Sequence, residues 1–496
     1  MKQYRYFVLC LFLLILAAAV AAEAAYPDAD PPAGGLSVLG TLPAARSLSN
    51  STDTTIGVLF DRPVDRASIH AGTFMAFGKW SGPVSGAYSF ANGDRAAILT
   101  PAEPFAAGEM VMVVLSNQVK GADGSFLRSA GYSFVFWTRT RQTQLRFSPV
   151  QLLSTRSNPN DPTQAYGGVA TDLNNDGWLD LTIVNEITAD LRVFLNRADG
   201  SGRFNDFIEP TFPAGNRASP IEPSDFNGDG NADVAVANID DNSISILLGN
   251  GDGTFAPQQE VAVGRSPRGV AILDADGDGD ADVVNTNSFG AGSLSLLVNN
   301  GNGVFNPPIN FEGGATGEWA VMAADMNEDG IMDLVVGAQS SSTMLVLGGN
   351  GDGTFTQLSS QSAGGAVWMI NVSDLNGDGH DDVATVNSST NNGAILFGDG
   401  LGNLSAPTTY NLDPFPLATD LGDMDGDGDL DWITSSFLGD WWLLTNNGQG
   451  QFTFRREFPS TSAGSCALPL DIDNDGDLDL GLIDEIADQV VVVRNR

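Results

Sequence analysis

Asp274-Ala275-Asp276-Gly277-Asp278-Gly279-Asp280-Ala281-Asp282 fits the pattern D-x-[DN]-x-D-G-x-x-D, and the pattern starts again at Asp172, Asp225, Asp325, Asp374, Asp423 and Asp471. Successive copies lie 53, 49, 51, 49, 49 and 48 residues apart. Spacing this regular marks an internal repeat of about fifty residues, the length of one propeller blade.

The remainder of each unit repeats as well. Around the third copy, Gly269 to Leu273 is apolar, Val283 to Asn285 and Leu294 to Val298 are β-prone, and the turn Asn300-Gly301-Asn302-Gly303 leads to Phe305. Four strand-like stretches per unit describe an antiparallel blade. An aromatic marker recurs at Phe147, Phe204, Phe255, Phe305, Phe355 and Phe452, with Leu404 in its place in one unit. The first marker, in Arg146-Phe147-Ser148-Pro149, precedes every loop, whereas the last loop is followed only by a third strand, Val490 to Val493. The segment 146–149 is therefore expected to supply the missing fourth strand and close seven units into a ring without open edges. The expected fold is all-β, a seven-bladed β-propeller over 145–496 preceded by a β-sandwich.

Each loop offers oxygen ligands at fixed places. Position 1 is Asp172, Asp225, Asp274, Asp325, Asp374, Asp423 and Asp471; position 3 is Asn174, Asn227, Asp276, Asn327, Asn376, Asp425 and Asp473. Position 5 is Asp176, Asp229, Asp278, Asp329, Asp378, Asp427 and Asp475; position 9 is Asp180, Asp233, Asp282, Asp333, Asp382, Asp431 and Asp479. Position 7 is variable, with Trp178, Asn231, Asp280, Ile331, His380, Asp429 and Asp477, as a ligand acting through its backbone carbonyl permits. Position 6 is always Gly, which allows a sharp bend. Hard oxygen donors on a tight turn suit Ca²⁺, up to seven ions in all. The loops lack the Glu at position 12 and the flanking helices of an EF-hand. Loops three, six and seven have Asp rather than Asn at position 3, one negative charge more, and are expected to bind the ion more tightly.

These repeats resemble the FG-GAP or VCBS repeats of integrin-alpha-like propellers over about 350 residues, with Gly249-Asn250-Gly251-Asp252-Gly253-Thr254-Phe255 and Gly349-Asn350-Gly351-Asp352-Gly353-Thr354-Phe355 at the glycine-aromatic signature. The resemblance implies that the Asp-rich loops join the first two strands on a lower face and that ligands engage the upper one. Residues 39–140 read as a sandwich: short alternating runs such as Thr55 to Phe60 and Met110 to Leu115 lie between turns such as Asn92-Gly93-Asp94. With Ile56 to Asp65, Leu99 to Gly108 and Tyr132 to Phe136, this segment resembles bacterial Ig-like domains, which implies a spacer or presentation role.

Ahead of it, Lys2, Arg5, the apolar run Phe7 to Ala22 and Ala22-Glu23-Ala24 read as a cleaved secretory signal over 1–24, and 25–38 as a flexible lead-in. The protein is thus expected outside the cytoplasm, secreted or at the cell surface. The formal charge of −38, from 61 acidic and 23 basic residues, opposes nucleic-acid and anionic-membrane partners; no later segment suits membrane insertion, and a monomer is expected. Cys10 falls in the signal and Cys466 stands alone, so no disulfide is expected; Cys466 reads as a buried small hydrophobe. His70 and His380 are the only histidines, which leaves no basis for a His-centred triad or a zinc enzyme.

The residue six places before each loop is expected near the upper mouth of the central channel. There Tyr166, Arg268, Trp319 and Trp368, with Ser219, Leu417 and Ser465, form a candidate stacking platform, packing between blades being the competing reading. Thirteen places after each first Asp stand Asn185, Asn238, Asn287, Ala338, Asn387, Ser436 and Asp484, as ligand contacts or as turn caps. The function expected is a secreted, calcium-binding, non-catalytic binding or adhesion module for an extracellular glycan or protein. The alternatives are a carbohydrate-active enzyme, for which no acid/base pair stands out, and a surface-layer or matrix scaffold.

Overall fold

The computed structural model describes residues 35–290 and 292–496; the signal expected over 1–24 and most of the lead-in lie outside the described residues. The first two sheets form the sandwich. One has the order Val38–Leu42, Ile56–Phe60, Ala96–Pro101, Gly86–Ala91, and the other the order Gly82–Pro83, Phe74–Gly78, Met110–Leu115, Tyr132–Trp137. The lead-in is shorter than expected. Leu36 bridges Leu127 and is 1% exposed, because an apolar side chain there completes the sandwich core beside Phe60 and Val113.

Among the described residues, seven further four-stranded sheets follow. Their first strands, Ala165–Thr171, Ala218–Ser224, Arg265–Leu273, Glu318–Ala324, Val367–Ser373, Pro416–Gly422 and Gly464–Leu470, neighbour one another in sequence order, and the seventh packs against the first. They are numbered here as blades 1 to 7. Second strands such as Asp180–Asn185, Asp233–Asn238 and Asp382–Asn387 are buried at every residue, because both faces of a blade lie against its neighbours. Outer strands meet water on both sides and are polar, as in Phe355–Ser362.

The ring closes as the repeat phase requires. Ser148–Ser154 pairs antiparallel with Gln489–Arg494, from Gln489 opposite Ser154 to Arg494 opposite Ser148. The closing strand begins two residues after 146 and runs five past 149; Phe147 itself is packing, edge-on to Phe458 at 4.9 Å. The aromatic markers are likewise core: Phe204, Phe255, Phe305, Leu404 and Phe452 are all buried.

The sandwich is docked on the lower face, which differs from the spacer role that its resemblance implies. Asn117 N–H donates to Gly277 O at 2.7 Å, Ser133 N–H to Gly330 O at 2.8 Å, and Asp172 N–H to Trp80 O at 2.9 Å. Trp80 is 6% exposed and shares a core with Leu179, Leu470 and Leu478 of the propeller.

Candidate functional site

The Asp-rich loops fold by the same hydrogen bonds seven times. The N–H of the position 6 glycine donates to the position 1 carboxylate, from Gly177 to Asp172 at 2.8 Å through Gly476 to Asp471 at 2.8 Å. The position 7 N–H donates to position 5, as from Trp178 to Asp176 at 2.9 Å. Closing the loop this tightly puts the glycine at φ between 75° and 102° in every copy, which favours Gly. In loop six the carboxylates of positions 1, 3 and 5 are gathered together, and in loops three and seven those of positions 1, 3 and 9.

Position 9 has a second role that its pattern does not disclose. Its Oδ1 accepts the N–H at the exit of the third strand, as Asp180 does from Asn196 at 2.8 Å and Asp382 from Gly398 at 2.9 Å. Its Oδ2 accepts from position 2, or from position 3 in the fourth loop, where Asn327 donates to Asp333 at 3.2 Å. Burial, only partly offset by these bonds, raises the carboxyls of Asp180, Asp333 and Asp382 to about 8 and that of Asp233 to about 7.

The donor set fits a divalent cation. Carboxylate oxygens of Asp274, Asp276 and Asp282 lie within 4.8 Å of one another, as do those of Asp423, Asp425 and Asp427 and those of Asp471, Asp473 and Asp479. Asp429 Oδ1 and Asp473 Oδ1 are buried without a hydrogen-bond donor, a costly state that a hard cation relieves. In loops one, two and five the position 3 amide donates to position 5, as Asn376 does to Asp378 at 2.9 Å. Loop seven differs from loops three and six in a way its aspartates conceal: Arg141 Nη2 lies 2.8 Å from Asp475 and also contacts Asp477, while Arg494 contacts Asp473. Two guanidiniums offset the extra carboxylate there. Arg46 of the sandwich reaches loop four, 2.9 Å from Asp325 Oδ2, and Glu328 of that loop pairs with His380 at 2.6 Å.

The residues six places before each loop sit at β-bulges. The register between first and second strands shifts at Tyr166, Ser219, Arg268, Trp319, Trp368, Leu417 and Ser465 alike. A bulge re-aims its side chain. Four of these side chains interlock instead of standing apart around a rim: Trp368 Nε1 donates to the Tyr166 hydroxyl at 2.9 Å, joining blade 5 to blade 1 across the axis. Trp319 lies 4.6 Å from Trp368, and the Arg268 guanidinium lies 4.1 Å above Trp319. Leu417 and Ser465 are buried, and Ser465 reaches the group only through its hydroxyl, which donates to the Tyr166 carbonyl. The seven residues thirteen places after each first Asp are also buried, and Asn238 and Asn387 bind neighbouring turns, which favours the capping role.

Below this group a cavity of about 1420 Å³ runs down the channel to the sandwich. Lys79 and Trp80 of the sandwich close its lower end, and Glu222 and Asp420 line its wall. Burial, moderated by the charge of Lys79, raises the Glu222 carboxyl and takes that of Asp420 to about 8. Cys466 lines the channel too, so it is a wall residue rather than part of the closed core. On the upper face beside Tyr166, Gln164 Nε2 donates to Glu186 at 2.9 Å and to Glu485 at 2.8 Å, a carboxylate pair that sequence spacing did not single out.

Comparison with known families agrees with this geometry. A model described as FG-GAP-like repeat matches residues 172–236, 225–285, 274–336, 374–434 and 423–482, more than half of the chain. The chain belongs to the FG-GAP-like repeat family. An FG-GAP repeat model also matches 319–356, and a bacterial Ig-like domain model matches 33–138. FG-GAP-like repeats make this a β-propeller of the binding and adhesion type. No curated protein gives a match. Among solved structures, an Agrocybe aegerita lectin described for recognition of non-reducing terminal N-acetylglucosamine shares 16% identity over 80% of this chain and 92% of its own, at a TM-score of 0.41. A streptogramin B lyase shares 14% over 71% and 98%, at 0.47, and BBS1N in complex with ARL6DN shares 13% over 70% and 98%, at 0.49.

The FG-GAP-like repeats are also riveted to one another, at residues that the aspartate pattern bypasses. The carbonyl at position 2 of each loop accepts a hydrogen bond from the next blade. Where the third strand exits through asparagine, its side-chain amide donates, as Asn299 does to Phe226 O at 2.7 Å and Asn446 to Leu375 O at 2.8 Å. Where it exits through glycine, a later glycine N–H serves, as from Gly253 to Leu173 O at 3.0 Å. Asn196 donating to Ile472 O at 2.9 Å completes the circuit from blade 1 to blade 7. The restriction of that exit to Asn or Gly in all seven units was the available signal.

Proposed function

We propose that this protein is an exported, calcium-stabilised propeller that binds an extracellular glycan or protein at the upper mouth of its channel and carries out no chemistry there. The observation that carries this reading is the group Tyr166, Trp368, Trp319 and Arg268, which brings aromatic faces and a guanidinium together over a cavity. Aromatic faces with a few polar groups around them are the usual make-up of a recognition site. Ile187, Phe289, Leu438 and Ile486, each fifteen residues after a loop's first Asp, are exposed tips on the same face and extend the contact surface. The all-oxygen donors favour a hard ion such as calcium over thiolate- and imidazole-seeking ions such as Zn²⁺, and the charged and apolar N-terminal run favours export.

A glycan and matrix-protein array probed with and without EDTA tests the reading. Binding that is lost in the Trp319→Ala, Trp368→Ala double variant, with calcium-dependent melting retained, is the expected result; a double variant that binds normally removes the mouth from the function. The pair Glu186 and Glu485 supports a second reading, a carbohydrate-active enzyme, because burial takes the Glu485 carboxyl to about 7, where it can exchange a proton. Cleavage of an array ligand, abolished by Glu485→Gln, would decide for that reading.

A further inference from the structure

Arg268 stands out among the groups at the mouth because its donors are unpaired, the carboxylates of Glu186 and Asp240 acting on its charge only from beyond contact distance. Its guanidinium rests 4.1 Å over Trp319 and lines the cavity, yet among the described residues it makes no hydrogen bond and no ion pair, and its Nε is buried without a partner. A guanidinium carries five N–H donors, and one left unpaired in a partly buried place is costly. Burial, with the nearby Arg217 guanidinium, also pulls its ionisation below the usual arginine range, so the cation is held there at some expense.

The surroundings supply no carboxylate in contact with it, Glu186 and Asp240 acting only at longer range. Arg217, the second guanidinium at this place, approaches Glu186 only to 3.9 Å and Asp240 to 3.6 Å. Burial raises the carboxyl of Glu186 against the opposing charges of Arg217 and Arg268, and burial takes that of Glu485 to about 7, which reduces the negative charge of Glu485 near neutral pH. In a molecule of formal charge −38, two arginines thus converge at one opening, beside a pair of indoles.

We infer that the mouth selects a ligand bearing a carboxylate on a sugar ring, a uronic acid residue, with Trp319 and Trp368 against the ring and Arg268 paired with the carboxylate. The fork of a guanidinium matches a planar carboxylate with two parallel hydrogen bonds, whereas a neutral sugar leaves the donors unpaired. Indole faces accept the apolar face of a pyranose. This inference rests on the proposed role of the mouth in binding.

Matched probes separate the two claims. The full-length protein in calcium is titrated with tetragalacturonate, with its methyl ester, with a neutral galactose oligosaccharide and with a sulfated one, and the same series is run on Arg268→Gln and Arg268→Lys. The expected result is that tetragalacturonate binds at least tenfold more tightly than its ester. Arg268→Gln should abolish that preference and Arg268→Lys restore part of it, both with the calcium-dependent melting temperature unchanged. Equal binding of acid and ester, a preference that survives Arg268→Gln, or stronger binding of the sulfated sugar overturns the carboxylate assignment while leaving the mouth as a binding site. Failure of every sugar, with a protein ligand captured on the array through Trp319 and Trp368, overturns the inference alone. Failure of every sugar and protein overturns both. A loss of calcium-dependent melting in both Arg268 variants would assign the side chain to packing and likewise overturn it.

Discussion

At the scale of single residues, equivalent-looking aspartates divide into two kinds. Asp382, at position 9, is fully buried and accepts Gly398 N–H at 2.9 Å and Leu375 N–H at 3.0 Å, so it braces the blade before any ion binds. Asp378, at position 5, is exposed and accepts His380 N–H at 3.0 Å through one oxygen. Asp382→Asn turns an amide N–H₂ toward a buried N–H donor, an unmet pairing that typically costs about 1–3 kcal/mol. That variant should melt earlier in calcium and, at pH 9 where Asp382 is ionised, in EDTA as well, whereas Asp378→Asn should melt earlier only in calcium. Thermal melts of the two variants in both buffers check this, and identical behaviour would mean that position 9 acts solely as an ion ligand. The regular pattern made both residues legible as candidate ligands. It could not show that one of them is also hydrogen-bonded to a third strand sixteen residues on.

At the scale of elements, the position 9 carboxyl of each loop holds its proton more strongly folded than unfolded. Burial takes Asp180, Asp333 and Asp382 to about 8 and Asp479 to about 9, against an ordinary value of 3.8. A carboxyl raised in the folded state contributes stability that is complete below its ordinary value and is lost as pH rises through the folded one. In EDTA the melting temperature should therefore fall steadily from about pH 5 to pH 9, and repulsion within a chain of formal charge −38 acts in the same direction. In saturating calcium the ion takes the place of the protons, so the slope should flatten or reverse, and calcium addition at pH 7 should release protons to the buffer. Melting curves across that range with and without calcium check the sign; an EDTA curve that rises with pH would contradict it. Loops and blades were readable because their period is carried by local sequence. The seven bulges were readable only as positions: counting six residues back located Tyr166 and Trp368, but their meeting across the axis depends on the ring diameter, which no local pattern encodes.

At the scale of the whole molecule, the sandwich and the propeller share a core, and the reason is visible in one strand. Met110-Val111-Met112-Val113-Val114-Leu115 is apolar on both faces: Val111, Val113 and Leu115 fill the sandwich, while Met110 packs with the propeller and Met112 and Val114 line the cavity between the two. The polar alternation read for Met110 to Leu115 is thus corrected: only its burial alternates, whereas an isolated sandwich alternates apolar with polar, and apolar residues on both faces go with a second partner. Read as a sandwich strand alone, it gave no warning that Trp80 and Arg46 would enter the propeller. Closure and docking can be separated by two truncations. A chain of residues 141–496 keeps the closing strand Ser148–Ser154 and every blade, but uncovers the seat of Trp80, so it should fold, melt below the full-length protein and bind residues 35–140 supplied separately. A chain of residues 155–496 lacks the strand that pairs with Gln489–Arg494, which leaves blade 7 with an unpaired edge beside Val490 and Val492; it should aggregate or fail to fold. Size-exclusion profiles and melting temperatures of the two chains distinguish the effects. Equal melting of 141–496 and the full-length protein would show that docking adds no stability, and a soluble monomer from 155–496 would show that the ring does not depend on its N-terminal strand.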